Sequence, residues 1–172
     1  LKIVIADVSR DLAIVKMEKP GQMYLSLGTS SMSKGAKLFA LGNPHDIGFT
    51  VIEGTYSGLS KESFIDKIHF SGSLNPGMSG GPAISHDGKV VGINVATAGN
   101  QISFLVPVEP LQAPLDKYRN APDDDFLSNA DAKIQDQLLA SQDYNIKELL
   151  DKKWESMDFG PVTVAGRMHD VL

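Results

Sequence analysis

Short runs of alternating apolar and polar residues recur over roughly the first two thirds of the chain, and polar turns separate them. No helical period lies between these runs, which indicates strands rather than helices. The pattern predicts strands at residues 1–6, 12–15, 37–41, 50–56, 64–70, 83–85, 89–95 and 102–106, with a further short strand at 23–27.

The segments between the predicted strands carry the residues that tight turns require. Asp87-Gly88 and Gly99-Asn100 each predict a hairpin, because Asp, Asn and Gly tolerate positive φ. Residues 7–10, 42–44 and 57–61 also read as turns. Short strands joined by turns predict an all-β body, built as an antiparallel sandwich or barrel.

The last third of the chain changes period and predicts helices. A short helix is expected at 108–118, interrupted by Pro110 and Pro114. Ser128 and Asp131 have the spacing of a capping box, which would start a helix through about residue 139. A second helix would carry an apolar stripe that covers the barrel or binds a partner, and a last strand is expected at 162–164. The stripe consists of Ile146, Leu149, Leu150, Trp154 and Met157.

Composition and charge narrow the function classes. The chain has 172 residues, of which 42% are hydrophobic, enough for one domain with an appendage. Residues 1–112 carry nine acidic and nine basic residues, whereas 113–172 carry twelve acidic and seven basic ones. We therefore predict two parts with a boundary at residue 112, and no nucleic-acid partner. Without cysteine there is no disulfide framework, and no apolar run is long enough to span a membrane.

The segment from Asn75 to Pro82 is the strongest candidate for chemistry. It encloses Ser79 between three glycines and two prolines, which together can hold a backbone geometry too strained for an ordinary loop. Such a turn suits a nucleophile with backbone N–H groups beside it. A glycine-rich hairpin corner is the structural alternative, and the serine turn alone does not exclude it.

The neighbouring segments decide between these interpretations. Together with the serine turn, they resemble the HtrA family of trypsin-like serine proteases over about residues 1–112. This resemblance implies a chymotrypsin-like double β-barrel, of which the chain holds the end of the first barrel and the whole second, with a helical extension at 113–172. The family pattern Gly-Asn-Ser-Gly-Gly-Pro has Met78 here in place of asparagine, and we expect that side chain to point outward. The segments are 11–15, 40–44, 54–58, 75–82, 91–94 and 103–107.

The resemblance also implies a catalytic arrangement. Ser79 corresponds to the nucleophile, and the N–H groups of Gly77 and Ser79, with Met78 between them, would form the oxyanion hole. Asp11 corresponds to the aspartate that orients the catalytic histidine. From its own segment alone, Asp11 reads as a turn residue.

The catalytic histidine should precede Asp11, yet every histidine of the chain follows it. His45, His69, His86 and His169 read as surface or strand-flanking residues. We therefore expect the histidine on a separate N-terminal segment of the same protein, which would also complete the first barrel.

Substrate preference follows from the implied pocket. Ser73 would lie at its base and Ser103 opposite Ile93, and no acidic residue is present to bind Lys or Arg. The backbone at Asn94, Val95 and Ala96 would pair with an extended substrate. We expect an endopeptidase that cleaves unfolded polypeptide after small to medium uncharged residues. The alternative is an inactive trypsin-like scaffold that binds peptides.

The remaining expectations concern cofactors, metals, oligomeric state, location and a further domain. Neither a cofactor nor a metal is expected, and a homo-oligomer is left open. The resemblance suggests a periplasmic or other extracytoplasmic location. Although the family usually continues into a PDZ domain, the acidic helical tail shows no such strand pattern.

Overall fold

A computed structural model describes residues 1–19, 21, 23–60, 66–99, 101–122, 129–151, 157–158 and 163–164. The described chain begins with an isolated β-hairpin, continues into a closed barrel and ends in helices and a two-residue strand pair. None of the helices in these ranges is long and apolar enough to cross a membrane.

The N-terminal hairpin consists of β1 (Lys2–Asp7) and β2 (Leu12–Lys16), which pair antiparallel as a sheet of their own. Only Val4 and Leu12 of this hairpin are buried. Asp7 closes the turn, accepting hydrogen bonds from Ser9 and Arg10. Burial raises the pKa of the Asp7 carboxyl, but these hydrogen bonds and the Arg10 charge outweigh burial and hold it below its usual value.

Six antiparallel strands then close into one barrel, which confirms the predicted complete second barrel. Their order around the barrel is β3-β4-β5-β8-β7-β6. Bulges between Tyr56 and Gly58 and between Asn94 and Ala96 add local twist, which helps a sheet to close. The barrel strands are β3 (Lys37–Gly42), β4 (Thr50–Ser60), β5 (Lys67–Phe70), β6 (Pro82–Ser85), β7 (Val90–Gly99) and β8 (Ile102–Pro107).

The alternation in the sequence defines the barrel core. On β3, Leu38 and Ala40 are fully buried, whereas Phe39 between them lies on the outer side and is partly exposed. On β5, Ile68 and Phe70 are fully buried. Burying a side chain of this size stabilises the fold by about 1.5–3 kcal/mol. The other core residues are Tyr56, Leu74, Met78, Ala83, Val91 and Leu105.

Two predictions of local structure were wrong. Residues 57–60 of the turn expected at 57–61 are part of a strand, because β4 continues to Ser60 through the bulge, where Gly58 has φ +111°. Lys61 lies outside the described residues. The strand expected at 23–27 is also absent; only Leu27 forms a bridge, with Val90. Tyr24 is 89% exposed and Met23 is 92% exposed, so their side chains gain none of the packing that stabilises a strand.

Helix α1 (Glu109–Asn120) follows the barrel directly and continues through Pro114, where an interruption was predicted. The Glu109 carboxylate accepts hydrogen bonds from the Ser30 N–H (2.6 Å), the Ser30 hydroxyl (2.8 Å) and the Thr29 hydroxyl (3.1 Å). Burial raises the pKa of Glu109, but these bonds outweigh it and lower the pKa. Glu109 thereby joins α1 to the loop before the barrel. The predicted domain boundary at residue 112 falls inside α1 and stays a prediction.

Helix α2 (Ala130–Asp151) is a single helix where two were predicted. The carboxamide of Gln137 joins it to the edge of β1: its nitrogen donates to the Ala6 carbonyl (2.9 Å), and its oxygen accepts from the Val8 N–H (3.0 Å). Within the predicted apolar stripe, Ile146 and Leu150 are exposed. Ser128 and Trp154 lie outside the described residues.

Beyond α2, a pair of two-residue strands, β9 (Met157–Asp158) and β10 (Thr163–Val164), is described. Met157 therefore belongs to a strand rather than to a helix. The predicted final strand is present at Thr163–Val164, and its first residue, Val162, lies outside the described residues.

Candidate active site

The serine turn consists of two successive tight turns that share Met78. In the first, the Met78 N–H donates to the Asn75 carbonyl (3.0 Å), with Pro76 and Gly77 between them. Gly77 has φ +95°, and a Cβ at this position would collide with the Asn43 carbonyl, so only glycine fits. Proline followed by a glycine of positive φ is typical of a type II turn.

The second turn carries the candidate nucleophile. The Gly81 N–H donates to the Met78 carbonyl (3.1 Å), and Gly80 has φ +81°, so Ser79 occupies the second position of the turn. The side chain of Ser79 is exposed, and its hydroxyl donates to the Val95 carbonyl on β7 (3.1 Å). Ser79 is thus presented at the surface by a backbone that is fixed on both sides.

Met78 does not point outward, so that expectation was wrong. Its side chain has no exposed surface and belongs to the barrel core. It lies against Gly42 at the end of β3, where a Cβ would come within 2.8 Å of the Met78 Cα. The space left by this glycine admits a large apolar side chain, and the turn is therefore anchored in the core immediately before Ser79.

Neighbouring segments hold two carbonyl groups of the turn. The His45 N–H donates to the Pro76 carbonyl (3.0 Å). The Asn94 carboxamide donates to the Met78 carbonyl (3.1 Å). Within the described part of the chain, the N–H groups of Gly77 and Ser79 donate to no acceptor. These two N–H groups are thus available beside the serine hydroxyl.

Asp11 lies in the turn between β1 and β2 with φ +55°. Its backbone N–H donates to the Val8 carbonyl (3.4 Å), and its side chain is exposed. Among the residues that the structure describes, the Asp11 carboxylate has no hydrogen-bond or ion-pair partner. Its turn geometry is well defined, and its role as the orienting aspartate stays a prediction.

The residues predicted to line the substrate pocket differ in exposure. Ser73 is exposed, and Ile93 and Val95 are partly exposed. Ser103 and Asn94 are buried, so in this conformation their side chains are not exposed to a substrate. The Ser103 hydroxyl accepts from the Leu74 N–H (3.1 Å), next to Ser73. Ala96 lies on β7, and its side chain is outside what the structure describes.

The backbone of β7 near the serine turn is also partly occupied. The Asn94 N–H donates to the Gly81 carbonyl, and the Gly80 N–H donates to the Asn94 carbonyl, both at 2.8 Å. Asn94 therefore pairs with the serine turn itself. The expected pairing of Asn94, Val95 and Ala96 with a substrate stays a prediction.

Comparison with known proteins assigns this arrangement to a family. The family model described as "Trypsin-like peptidase domain" matches residues 1–93, more than half of the chain. The chain belongs to the trypsin-like peptidase family. Among curated relatives, it is 30% identical over 132 residues to "Protease Do-like 1, chloroplastic" of Arabidopsis thaliana, covering 67% of this chain and 30% of that protein.

Two further matches place the chain with HtrA-like members of the trypsin-like peptidases. It is 35% identical over 112 residues to "Probable periplasmic serine endoprotease DegP-like" of Chlamydia pneumoniae, covering 59% of this chain and 23% of the relative. The solved structure "HtrA-type protease AlgW with decapeptide" superposes with a TM-score of 0.61 and 28% identity, over 68% of this chain and 39% of that one. The chain thus spans less than half the length of these proteins.

A trypsin-like peptidase needs a base for its serine, and the described histidines do not supply one. His45 lies in the loop after β3 with φ +51°, His69 is on β5 with its ring 6.2 Å from that of Phe104, and His86 is exposed in the β6–β7 hairpin. None of these three imidazoles is hydrogen-bonded to Ser79. His169 lies outside the described residues.

A cavity of about 860 Å³ lies away from the serine turn, between the hairpin, the helices and the barrel. Arg10, Asp66 and Tyr144 are among its lining residues, and Ser79 is not. Cavity volume therefore does not mark the candidate active site. The geometry of the serine turn marks it instead.

Sequence reasoning missed two groups at this site, the His45 N–H and the Asn94 carboxamide. A backbone N–H cannot be identified from a sequence pattern. Asn94 could have been, because it is a polar residue inside the otherwise apolar run 90–95, and a buried amide requires hydrogen-bond partners. That signal could have identified Asn94 as a structural support of the turn.

Proposed function

We propose that the complete protein is a serine endopeptidase of the HtrA type, with Ser79 as its nucleophile. The observation that carries the proposal is the pair of N–H groups, from Gly77 and Ser79, that donate to no acceptor among the described residues beside an exposed serine hydroxyl. Preorganised donors of this kind stabilise the negative charge that develops on a carbonyl oxygen under attack.

The reaction would proceed through an acyl-enzyme. The Ser79 hydroxyl leaves the Val95 carbonyl and passes its proton to a histidine, while Oγ bonds to the carbonyl carbon of the scissile peptide. The carbonyl oxygen becomes negative and is held by the Gly77 and Ser79 N–H groups. The histidine then protonates the leaving amine as the C–N bond breaks, which leaves the acyl group bonded to Oγ. Water loses a proton to the same histidine and attacks the acyl carbon; the bond to Oγ breaks, and the histidine returns the proton to Ser79.

Two parts of this mechanism rest on residues beyond the serine turn. We infer that Asp11 orients the histidine and that the histidine lies on an N-terminal segment of the same protein, as the resemblance implies. The exposed carboxylate of Asp11, which has no described partner, is available for this role. Once Ser79 turns to its substrate, the Val95 carbonyl is free to accept a hydrogen bond from the substrate backbone.

The substrate would be unfolded or extended polypeptide, cleaved after small to medium uncharged residues. Ser73, Ile93 and Val95, which are the exposed or partly exposed members of the predicted pocket, include no charged side chain. The similar solved protease was determined with a decapeptide. We also propose an extracytoplasmic or organellar location, since the names of two relatives place them in the periplasm and the chloroplast.

Labelling with a fluorophosphonate probe tests this function directly, because the probe reacts only with a serine whose base and oxyanion hole are assembled. We expect the complete protein to be labelled, with the added mass on Ser79, and to cleave unfolded casein. Ser79→Ala should abolish both, and since Ser79 is exposed, the variant should keep its melting temperature. If the wild-type protein is folded yet unlabelled and inactive, the peptidase proposal is wrong and the peptide-binding scaffold replaces it.

A further inference from the structure

Asn94 is a buried polar residue in the middle of an apolar strand. Its side chain is 1% exposed, and the preceding β7 residues Val90 and Val91 are also buried. The carboxamide nitrogen donates to the Leu41 carbonyl (3.0 Å) and to the Met78 carbonyl (3.1 Å). The carboxamide oxygen has no partner among the described residues. Asn94 therefore links the end of β3, the serine turn and β7.

The orientation of this carboxamide follows from its neighbours. The carbonyl oxygens of Leu41 and Met78 can only accept hydrogen bonds, so the NH₂ group must face them. Turning the amide over would place three oxygen atoms together in a buried site. The unpartnered oxygen costs free energy, but an apolar side chain of the same shape would leave the Leu41 and Met78 carbonyls without this donor. The asparagine is therefore explained by the two carbonyl groups that its nitrogen holds.

The Met78 carbonyl belongs to the same peptide unit as the Ser79 N–H. In a planar trans peptide the C=O and N–H bonds point in opposite directions. A donor that holds the Met78 carbonyl from the barrel side therefore directs the Ser79 N–H away from the barrel. The other donor of the proposed oxyanion hole is set in the same way, because the His45 N–H holds the Pro76 carbonyl of the Pro76–Gly77 peptide.

We propose that Asn94 is a positioning residue, whose carboxamide fixes the Met78–Ser79 peptide so that the Ser79 N–H faces the oxyanion. This inference rests on the proposed peptidase function. It differs from a substrate-binding role, since the Asn94 side chain is buried and its backbone pairs with Gly80 and Gly81. In the proposed reaction the Asn94 side chain acts through the Met78–Ser79 peptide and does not touch the substrate.

The kinetic test uses the complete protein with Asn94→Leu, which keeps the shape of the side chain and removes both donors. Because an oxyanion donor acts in the transition state, kcat should fall roughly ten- to a hundred-fold, with KM changed less than about two-fold. Affinity for a peptide boronate, which becomes tetrahedral on Ser79, should fall by a factor similar to that for kcat. Affinity for the corresponding product peptide should not change.

Ser85→Ala is the matched control. The Ser85 hydroxyl is also buried and hydrogen-bonded, to Asp87 and to the Lys89 carbonyl, but in the hairpin between β6 and β7. A general loss of barrel stability would affect both variants alike. The inference is overturned if Asn94→Leu lowers kcat no more than Ser85→Ala does, or if it weakens boronate and product peptide equally. If Asn94→Leu does not fold, Asn94→Ser, whose shorter side chain carries a single hydroxyl donor, should lower kcat more than Ser85→Ala does, with KM again changed less than about two-fold.

Crystal structures of the wild type and the variant separate this inference from the peptidase proposal. We expect the Met78–Ser79 peptide plane to reorient in Asn94→Leu and to stay in place in Ser85→Ala. That result would support the positioning role even if the wild-type protein took no fluorophosphonate label and the peptidase proposal failed. An unchanged peptide plane in Asn94→Leu would overturn the positioning role even in an active peptidase.

Discussion

The candidate catalytic residue in the barrel and the one in the flanking hairpin differ in how they are held in place. Ser79 lies one residue from Met78, which is buried in the barrel core. Asp11 lies in an exposed turn of a hairpin that buries only Val4 and Leu12. Among the described residues, α1 and α2 bury none of their side chains. The candidate nucleophile is therefore positioned by core packing, whereas the candidate aspartate depends on a turn that has few contacts of its own.

This difference shows which part of the proposed machinery is already fixed within the chain. The candidate oxyanion donors and Ser79 are held in place by the barrel, because their turns are hydrogen-bonded to β7 and to the segment after β3. The alignment of Asp11 with a histidine requires contacts that the hairpin alone does not make. Barrel substitutions should therefore affect stability far more than substitutions in the flanking segments.

The largest effect is expected from truncating the core. Phe70→Ala should destabilise the protein by about 3–5 kcal/mol, because it removes a fully buried aromatic ring from the centre of the barrel. Leu150→Ala on α2, where the side chain is 71% exposed, should change the free energy of unfolding by less than about 0.5 kcal/mol. Urea unfolding of both variants measures the difference. Similar losses in the two variants would mean that α2 shares the barrel's stability.

A smaller effect is expected from restoring the family residue at Met78. Met78→Asn should cost roughly 1–3 kcal/mol, because it places an amide without partners in the barrel core. Met78→Leu, which keeps an apolar side chain of similar volume, should cost less than about 1.5 kcal/mol. Thermal unfolding of the pair is the measurement. If Met78→Asn is as stable as the wild type, the side chain is not buried in solution.

The smallest effect is expected where α2 meets the hairpin. Gln137→Ala removes both hydrogen bonds to the edge of β1 and should cost about 1 kcal/mol. Amide exchange at Val8, whose N–H donates to Gln137, should become faster. Gln135→Ala is the control, since Gln135 is exposed on the same helix. Equal exchange rates at Val8 in the two variants would contradict the contact.

The barrel could be predicted because its strands alternate. On β3 and β5 the inward residues, such as Leu38 and Phe70, follow a period of two that the sequence displays directly. The segment at 23–27 shows the limit of this reasoning. Its apolar residues resemble a strand, but a strand requires a partner with which to pair, and the sequence does not state which partner is available.

The sequence predicted the candidate nucleophile of the site but not the contacts that hold the serine turn in place. Ser79 and its glycines form a recognisable motif, whereas the inward direction of Met78 depends on the space left by Gly42, which is 36 positions earlier in the chain. Turns have no period from which the direction of a side chain could be read. The hydrogen bond from the Asn94 carboxamide to the Met78 carbonyl likewise joins positions that come together only when the barrel closes.

The burial of Met78 has a consequence for how the proposed peptidase would lose activity on heating. Freeing the serine turn requires withdrawing a core side chain, so the turn belongs to the same cooperative unit as the barrel rather than to its flexible surface. Local opening of the serine turn would then be as rare as global unfolding. Thermal inactivation at Ser79 and melting of the barrel would accordingly be a single event.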